Sequence, residues 1–174
     1  MNRWQVRELL SGGDRRSIAD SNRVRAMVEQ DPGLVADLVA LTRDEDWLVV
    51  QRSVDLLEKL AHEHPDWIAP HRRVFIGPLA EQEQWEIRLQ IVRALPLFRW
   101  APSQAKRVRA ILIANVDFPQ TFVRAWALDG VARLAEKDAS VRPLLARKLR
   151  EFEQSSSKAL QARARQIRAR LLDD

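Results

Sequence analysis

The chain has 174 residues, 46% of them hydrophobic and 30% charged, with a net charge of +5 and no cysteine. That balance suits one globular domain able to bury a core. The missing cysteine excludes disulfides, thiol nucleophiles and thiolate zinc sites, and no apolar run is long enough to span a bilayer.

Only 5 Gly and no Tyr occur, against abundant Leu, Ala, Arg and Glu, which favours helix over strand. The run MNRWQVRELLSGGDRR lacks the apolar centre and cleavage site of a secretion signal, so a cytoplasmic location is expected. Helices over about 2–10 and 15–29, turning at Ser11-Gly12-Gly13-Asp14, make an irregular first pair suited to a cap over residues 1–30. Four more regular pairs follow, over residues 31–64, 65–100, 101–137 and 138–174. Asp31-Pro32, Pro65-Asp66 and Ala101-Pro102 open the first three, because proline is tolerated in the first turn of a helix. The turn inside each pair is polar: Asp44-Glu45-Asp46, then residues 81–84, 117–120 and 153–157.

The second helices carry the clearest signal. Val50, Ile87, Val123 and Leu160 are spaced by 37, 36 and 37 residues. Four positions later come Val54, Ile91, Ala127 and Ala164, then Leu57, Ala94, Gly130 and Ile167, then Ala61, Phe98, Leu134 and Leu171. Offsets of about 0, 4, 7 and 11 trace one stripe along a helix, so each pair buries an equivalent face. The first helices repeat as Leu38, Phe75, Leu112 and Leu149, flanked by Leu34, Val108 and Leu145, with His71 in the corresponding place of the third pair. A unit of helix, polar turn and helix, recurring about every 37 residues, predicts one all-α domain of about five antiparallel pairs.

LVADLVALTRDEDWLVVQRSVDLLEKLA resembles the HEAT motif: an apolar helix, an acidic turn, then an apolar-Arg pair opening the second helix. Ile87-Arg88 and Val123-Arg124 match that pair, while Val50-Gln51 and Leu160-Gln161 carry Gln. The resemblance covers about residues 30–172, and Gly13 to Ile18 (GDRRSI) is similar to the N-terminus of small bacterial HEAT proteins. It implies a right-handed α-α superhelix whose second helices line the concave side, and it implies architecture rather than chemistry.

Catalytic signatures are absent from the sequence. The five glycines form no phosphate loop. His62 and His64 lie two apart and point to different sides of a helix. With Glu63, Asp66 or His71 they match no ligand spacing, so a solvated helix end before Pro65 is expected instead of a metal. No catalytic residue, cofactor or metal is assigned.

Trp126, Asp129 and Arg133 share one face of a second helix. Arg93 is the counterpart of Asp129 one pair earlier, and Arg163 that of Trp126 one pair later. This aromatic, carboxylate and arginine set resembles the DNA-alkylation-repair branch of HEAT-like proteins, where such a surface holds a damaged nucleotide. The chain is shorter than that family and lacks its second aromatic wall. The other reading is an ion-pair strut between pairs, with Trp126 filling a groove.

The expected activity is therefore non-enzymatic: a scaffold recognising a protein or extended peptide along a concave face of Gln51, Arg88, Arg93, Arg124, Trp126, Asp129 and Arg133. The alternative follows from charge. Residues 26–66 hold ten acids against three bases, whereas 99–170 hold sixteen bases against six acids. Lys106, Arg107, Arg109, Arg147, Arg163 and Arg170 would then serve nucleic acid, because clustered cations displace the counterions of phosphates. The rival explanation for the arginines is a polar outer face on a terminal pair. Six Trp are expected mostly at pair junctions, any exposed one being an interface anchor.

Overall fold

The computed structural model describes residues 3–173, with side chains through residue 171. Every regular element among them is helical. In chain order these are α1 (Arg3–Leu10), α2 (Ser21–Gln30), α3 (Val35–Leu41), α4 (Trp47–Glu63), α5 (Pro65–Ile68), α6 (Trp85–Ala94), α7 (Pro102–Asn115), α8 (Thr121–Ala135), α9 (Arg142–Glu153) and α10 (Lys158–Asp173). None is long and apolar enough to cross a membrane. The contacts gather into two compact units, Met1–Phe98 and Arg99–Asp174.

In the first unit α3 and α4 form a pair, and α4 also packs on α6. In the second, α7 pairs with α8 and α9 with α10, while α8 packs against α10. The helix starts follow side-chain chemistry. Asp46 precedes α4 and accepts a hydrogen bond from the Leu48 amide at 2.9 Å, and Pro65 and Pro102 open α5 and α7.

The first three columns of the second-helix stripe are buried in all four pairs, from Val50, Val54 and Leu57 to Leu160, Ala164 and Ile167. Leu38, Phe75, Leu112 and Leu149 are buried beneath them. Each Val, Leu, Ile or Phe side chain among them contributes roughly 1.5–3 kcal/mol when taken out of water, before entropy is set against it. The fourth column is weaker. Ala61 is buried, but Phe98 and Leu134 are half-buried and Leu171 is 37% exposed. At Gly130 the two helices of a pair come close: a Cβ there would lie 2.7 Å from the Leu112 Cδ2.

Two elements depart from the sequence reading. The first helix of the third pair is not continuous: after α5 the backbone runs in 3-10 turns over Ala69–Ile76 and Pro78–Glu81. Pro70 and Pro78 remove amide donors, and Gly77 stands extended between the two turns. Phe75 is nevertheless fully buried, so the apolar anchor survives the loss of the helix around it. His71 sits half-buried on this segment.

The second helix of the cap begins at Ser21 and not near residue 15, because residues 11–20 form a structured loop. Gly12 and Gly13 take φ of 74° and 70°, where glycine carries no steric penalty, and Ala19 stands at φ 44°. Asp14 accepts from the amides of Arg16 and Ser17, which closes the turn. The loop is held by Arg52 of α4, a buried side chain that donates to the carbonyls of Leu10, Gly12, Asp14 and Ser17 at 2.6–3.1 Å. Arg15 from the same loop pairs with the buried Glu86 of α6. Arg7 of α1 grips Asp44 with two hydrogen bonds, 2.7 and 2.9 Å, and that contact holds the Asp44 carboxyl below the usual range.

Candidate binding site on the second helices

The residues that follow the first anchor of each second helix recur for a local reason. Arg88 Nε donates to the Gln82 carbonyl at 2.6 Å, Arg124 Nε to the Val116 carbonyl at 3.3 Å, and Gln161 Nε2 to the Ser155 carbonyl at 2.7 Å. Each side chain reaches back over the polar turn of its own pair and satisfies a carbonyl that helix geometry leaves open. Arg124 also lies 5.3 Å above the Phe152 ring. Gln51 is the exception: its Oε1 is buried without a hydrogen bond. The column therefore holds turns in place, a job that accounts for its recurrence.

Farther along the second helices of the first unit lies a charge cluster. The Glu58 carboxylate is fully buried, with Arg93 of α6 at 3.0 Å and His62 at 2.7 Å. Beside it Asp55 accepts from Gln90 at 2.9 Å and from Lys59 at 2.6 Å. Burial raises the Glu58 carboxyl above its ordinary value, and Arg93 and His62 oppose that rise. Two carboxylates meet two permanent cations and one histidine here, so the cluster is close to neutral.

The second unit builds an analogous cluster with a different balance. Asp129 of α8, its side chain 6% exposed, faces three guanidinium groups. Arg133 lies 3.1 Å from it on the same helix, Arg170 of α10 at 3.1 Å and Arg163 of α10 at 3.5 Å. Arg163 also stacks over the Trp126 ring at 3.9 Å, a cation–π contact. Trp126, Asp129, Arg133 and Arg163 thus do come together. Arg170, placed by the sequence reading among the basic residues of the alternative, belongs with them.

The remaining basic residues of the alternative stand elsewhere. Lys106 and Arg107 are exposed on α7 and Arg147 on α9, while Arg109 is 3.8 Å from Asp138. These lie on the first helices, and Arg163 and Arg170 on a second helix. Two further bases of this unit are engaged internally. Lys148 is buried between Asp117 at 2.7 Å and Glu151 at 2.6 Å. Burial lowers its ammonium, but the two carboxylates outweigh that and leave it above the usual lysine value. Arg168 is held by Glu153 at 2.9 Å.

The histidines do not assemble. His62 is engaged by Glu58, and His64 stacks on Trp67 with ring centres 3.9 Å apart. Glu29, Glu63 and His64 do approach one another, but Arg25 pairs with Glu29 at 3.1 Å and with Glu63 at 2.8 Å, meeting the charge a cation would meet. His71 instead lines a groove of about 610 Å³ beside Arg43, Trp47, Arg73 and Gln82, opened where the third pair's first helix is broken.

Two residues that sequence reasoning passed over are central. Arg52 is the one base between Asp44 and Glu58, flanked by Gln51 and Ser53 between the apolar residues Val50 and Val54. That isolation was the available signal. Glu58 follows the stripe residue Leu57 and is a carboxylate on the edge of a core face, which calls for a cationic partner.

No family model and no curated protein matches the chain. Solved structures do match. An engineered protein determined as a structural-genomics target superposes with a TM-score of 0.64 at 18% identity, over 94% of this chain and 78% of its own. A designed armadillo repeat protein in complex with the peptide (KR)4 gives 0.60 at 16%, over 95% and 72%. The archaeal HEAT-like repeats protein from Thermococcus onnurineus gives 0.61 at 17%, over 94% of this chain and 63% of its own length. The fold is that of the HEAT-like and armadillo repeats. At such identities the likeness concerns the HEAT-like fold alone, and what its surface does must come from its own side chains.

Proposed function

We propose that this chain is a non-enzymatic, cytoplasmic binding module that recognises a protein or extended peptide on the exposed face of its second helices, the face expected to be concave. The observation that carries this reading is the group on α8 and α10. There Trp126 and Arg163 stack beside Arg133, which is 50% exposed, on a floor set by the buried Asp129. A rigid aromatic and neighbouring arginines on packed helices are the residue types that dominate binding energy at interfaces. Arg93 and Gln51 stand on second helices of the first unit, while Arg88 and Arg124 support the turns of their own pairs. The peptide held by the designed armadillo neighbour is consistent with such a use of the fold.

Selection from a displayed peptide library on the immobilised full chain tests this reading. Enriched peptides that bind wild type and lose affinity with Arg133→Ala or Trp126→Ala support it. Failure to enrich any peptide, together with retention of nuclease-sensitive material, would favour the second reading. That reading is nucleic-acid binding through Lys106, Arg107, Arg109 and Arg147, for which the exposure of Lys106, Arg107 and Arg147 speaks. Steep loss of affinity with salt would accompany it.

A further inference from the structure

The two units contain the same kind of inter-pair cluster, and they differ in charge. In the first, Glu58 and Asp55 are matched by Arg93 and Lys59, with His62 alongside. In the second, every ion pair of Arg133, Arg163 and Arg170 among the described residues goes to the single carboxylate of Asp129. Among the described residues one negative charge faces three positive ones, a surplus of two. The first cluster balances its charges, although both Glu58 oxygens lack a hydrogen bond; the second has cationic capacity beyond its one carboxylate.

The donors say the same. A guanidinium offers five N–H groups in a planar fork. Arg170 uses Nη1 on Asp129, while its Nε and Nη2 are shielded from water and have no acceptor. Buried donors without acceptors are costly, so a turn of the Arg170 side chain that gave them a further acceptor would be favoured. Arg133 gives Nε to Asp129 and is half exposed, so one side of the cluster is open to solvent. The Trp126 ring under Arg163 limits how that planar guanidinium can turn, since an arginine stacks flat on an aromatic face.

The geometry points to a carboxylate-receptive site on the second unit, in which Arg133, Arg163 and Arg170 beside Trp126 take the acidic side chains of a bound peptide. This deepens the peptide-binding reading and rests on it. Carboxylates fit because an arginine fork binds them with two parallel hydrogen bonds, and a surplus of two positive charges calls for one or two of them. A nucleic-acid backbone fits less well, since it needs cations along a continuous line. Elsewhere in the unit Arg168 is tied to Glu153, and Lys148 is buried between Asp117 and Glu151. The site is a point receptor and not a track.

The test is fluorescence anisotropy of the full chain with three labelled probes: an octapeptide of alternating Glu and Gly, an octapeptide of alternating Lys and Arg, and a single-stranded DNA oligonucleotide. The acidic peptide should bind, and Arg163→Gln and Arg170→Gln should each weaken it about tenfold, the scale of one lost charge-assisted hydrogen bond. Lys106→Gln removes the same charge from α7 and should change affinity less than about twofold, the size of a remote surface effect. Circular dichroism verifies folding. If the α10 variants unfold, Arg133→Gln, on an exposed side chain, carries the comparison.

Binding of the Lys-Arg peptide alone would overturn the proposal while leaving the peptide-binding reading intact. Binding of neither peptide would remove both. An equal loss from Lys106→Gln would show diffuse charge attraction and overturn the site. Binding of the oligonucleotide alone, sensitive to the same arginines, would overturn it in favour of nucleic acid.

Discussion

The Arg93 guanidinium lies 3.0 Å from the fully buried Glu58 carboxylate, reaching from the second helix of one pair to that of the pair before it. Burial nevertheless raises the Glu58 carboxyl, with Arg93 and then His62 acting against it. The folded chain therefore retains this proton at pH values where the unfolded chain has released it. Stability from Glu58 is fully present below the unfolded value of about 4.3 and is lost as pH rises through the folded one. The melting temperature of wild type minus that of Glu58→Gln should accordingly fall as pH rises from about 4 towards neutrality. A difference that stays flat, or rises, would contradict the raised carboxyl.

Asp129 stands among three arginines, so its removal leaves like charges facing one another. Asp129→Asn should cost on the order of 2 kcal/mol, below the usual range for breaking a buried pair because Arg133 is half exposed. Phosphate buffer should restore more of the loss than chloride at equal ionic strength, because phosphate accepts hydrogen bonds from guanidinium. Urea denaturation in the two buffers measures both effects, and equal recovery in each would argue against an anion-receptive cluster.

Arg52 closes the loop of residues 11–18 through carbonyl oxygens alone, contacts that no other side chain can reproduce with one planar group. Arg52→Ala should lower stability by on the order of 3 kcal/mol, the scale of a lost buried network. It should also speed tryptic cleavage after Arg15 or Arg16. Unchanged cleavage kinetics would mean that the loop holds itself.

The turn-holding column and the exposed cluster make opposite predictions. Arg88→Ala and Arg124→Ala each lose a hydrogen bond to a turn carbonyl and should lower stability by about 1 kcal/mol without altering peptide affinity. Arg133→Ala should weaken peptide binding and leave the melting temperature nearly unchanged. Thermal melts and titrations on one set of variants separate the roles, and the reverse pattern would exchange them.

Gly130 faces Leu112 too closely for a side chain. Gly130→Val should destabilise by about 2 kcal/mol, within the range for overpacking a filled core. Chemical denaturation checks this, and no loss would show that Leu112 can move aside.

The period of the apolar residues made the pairs legible, since burial on one helix face forces offsets that no other structure reproduces. Val54 and Phe75 sit where that period put them. The period could not reveal that Phe75 stands on 3-10 turns, because one apolar anchor per pair survives whether or not the backbone around it stays helical. Pro70 and Pro78 carried that information. Of the candidate surface, spacing brought Trp126, Asp129 and Arg133 together because they share one helix. The partnership of Arg170 with Asp129 crosses 41 positions and depends on how α10 lies against α8. Recurrence also marked Arg88 and Arg124, but identical spacing arises from a repeated turn as readily as from a repeated contact with a partner.

The loop of residues 11–18 finds its anchors far along the chain, at Arg52 and at Glu86, which pairs with Arg15 across 71 positions. During synthesis these residues leave the ribosome well before either anchor exists. Local helix forms quickly, whereas contacts across long sequence separation wait for both ends. The loop, made before its anchors, must therefore settle after them, and a nascent chain released before α6 has emerged would carry residues 11–18 undocked and exposed to proteases and chaperones.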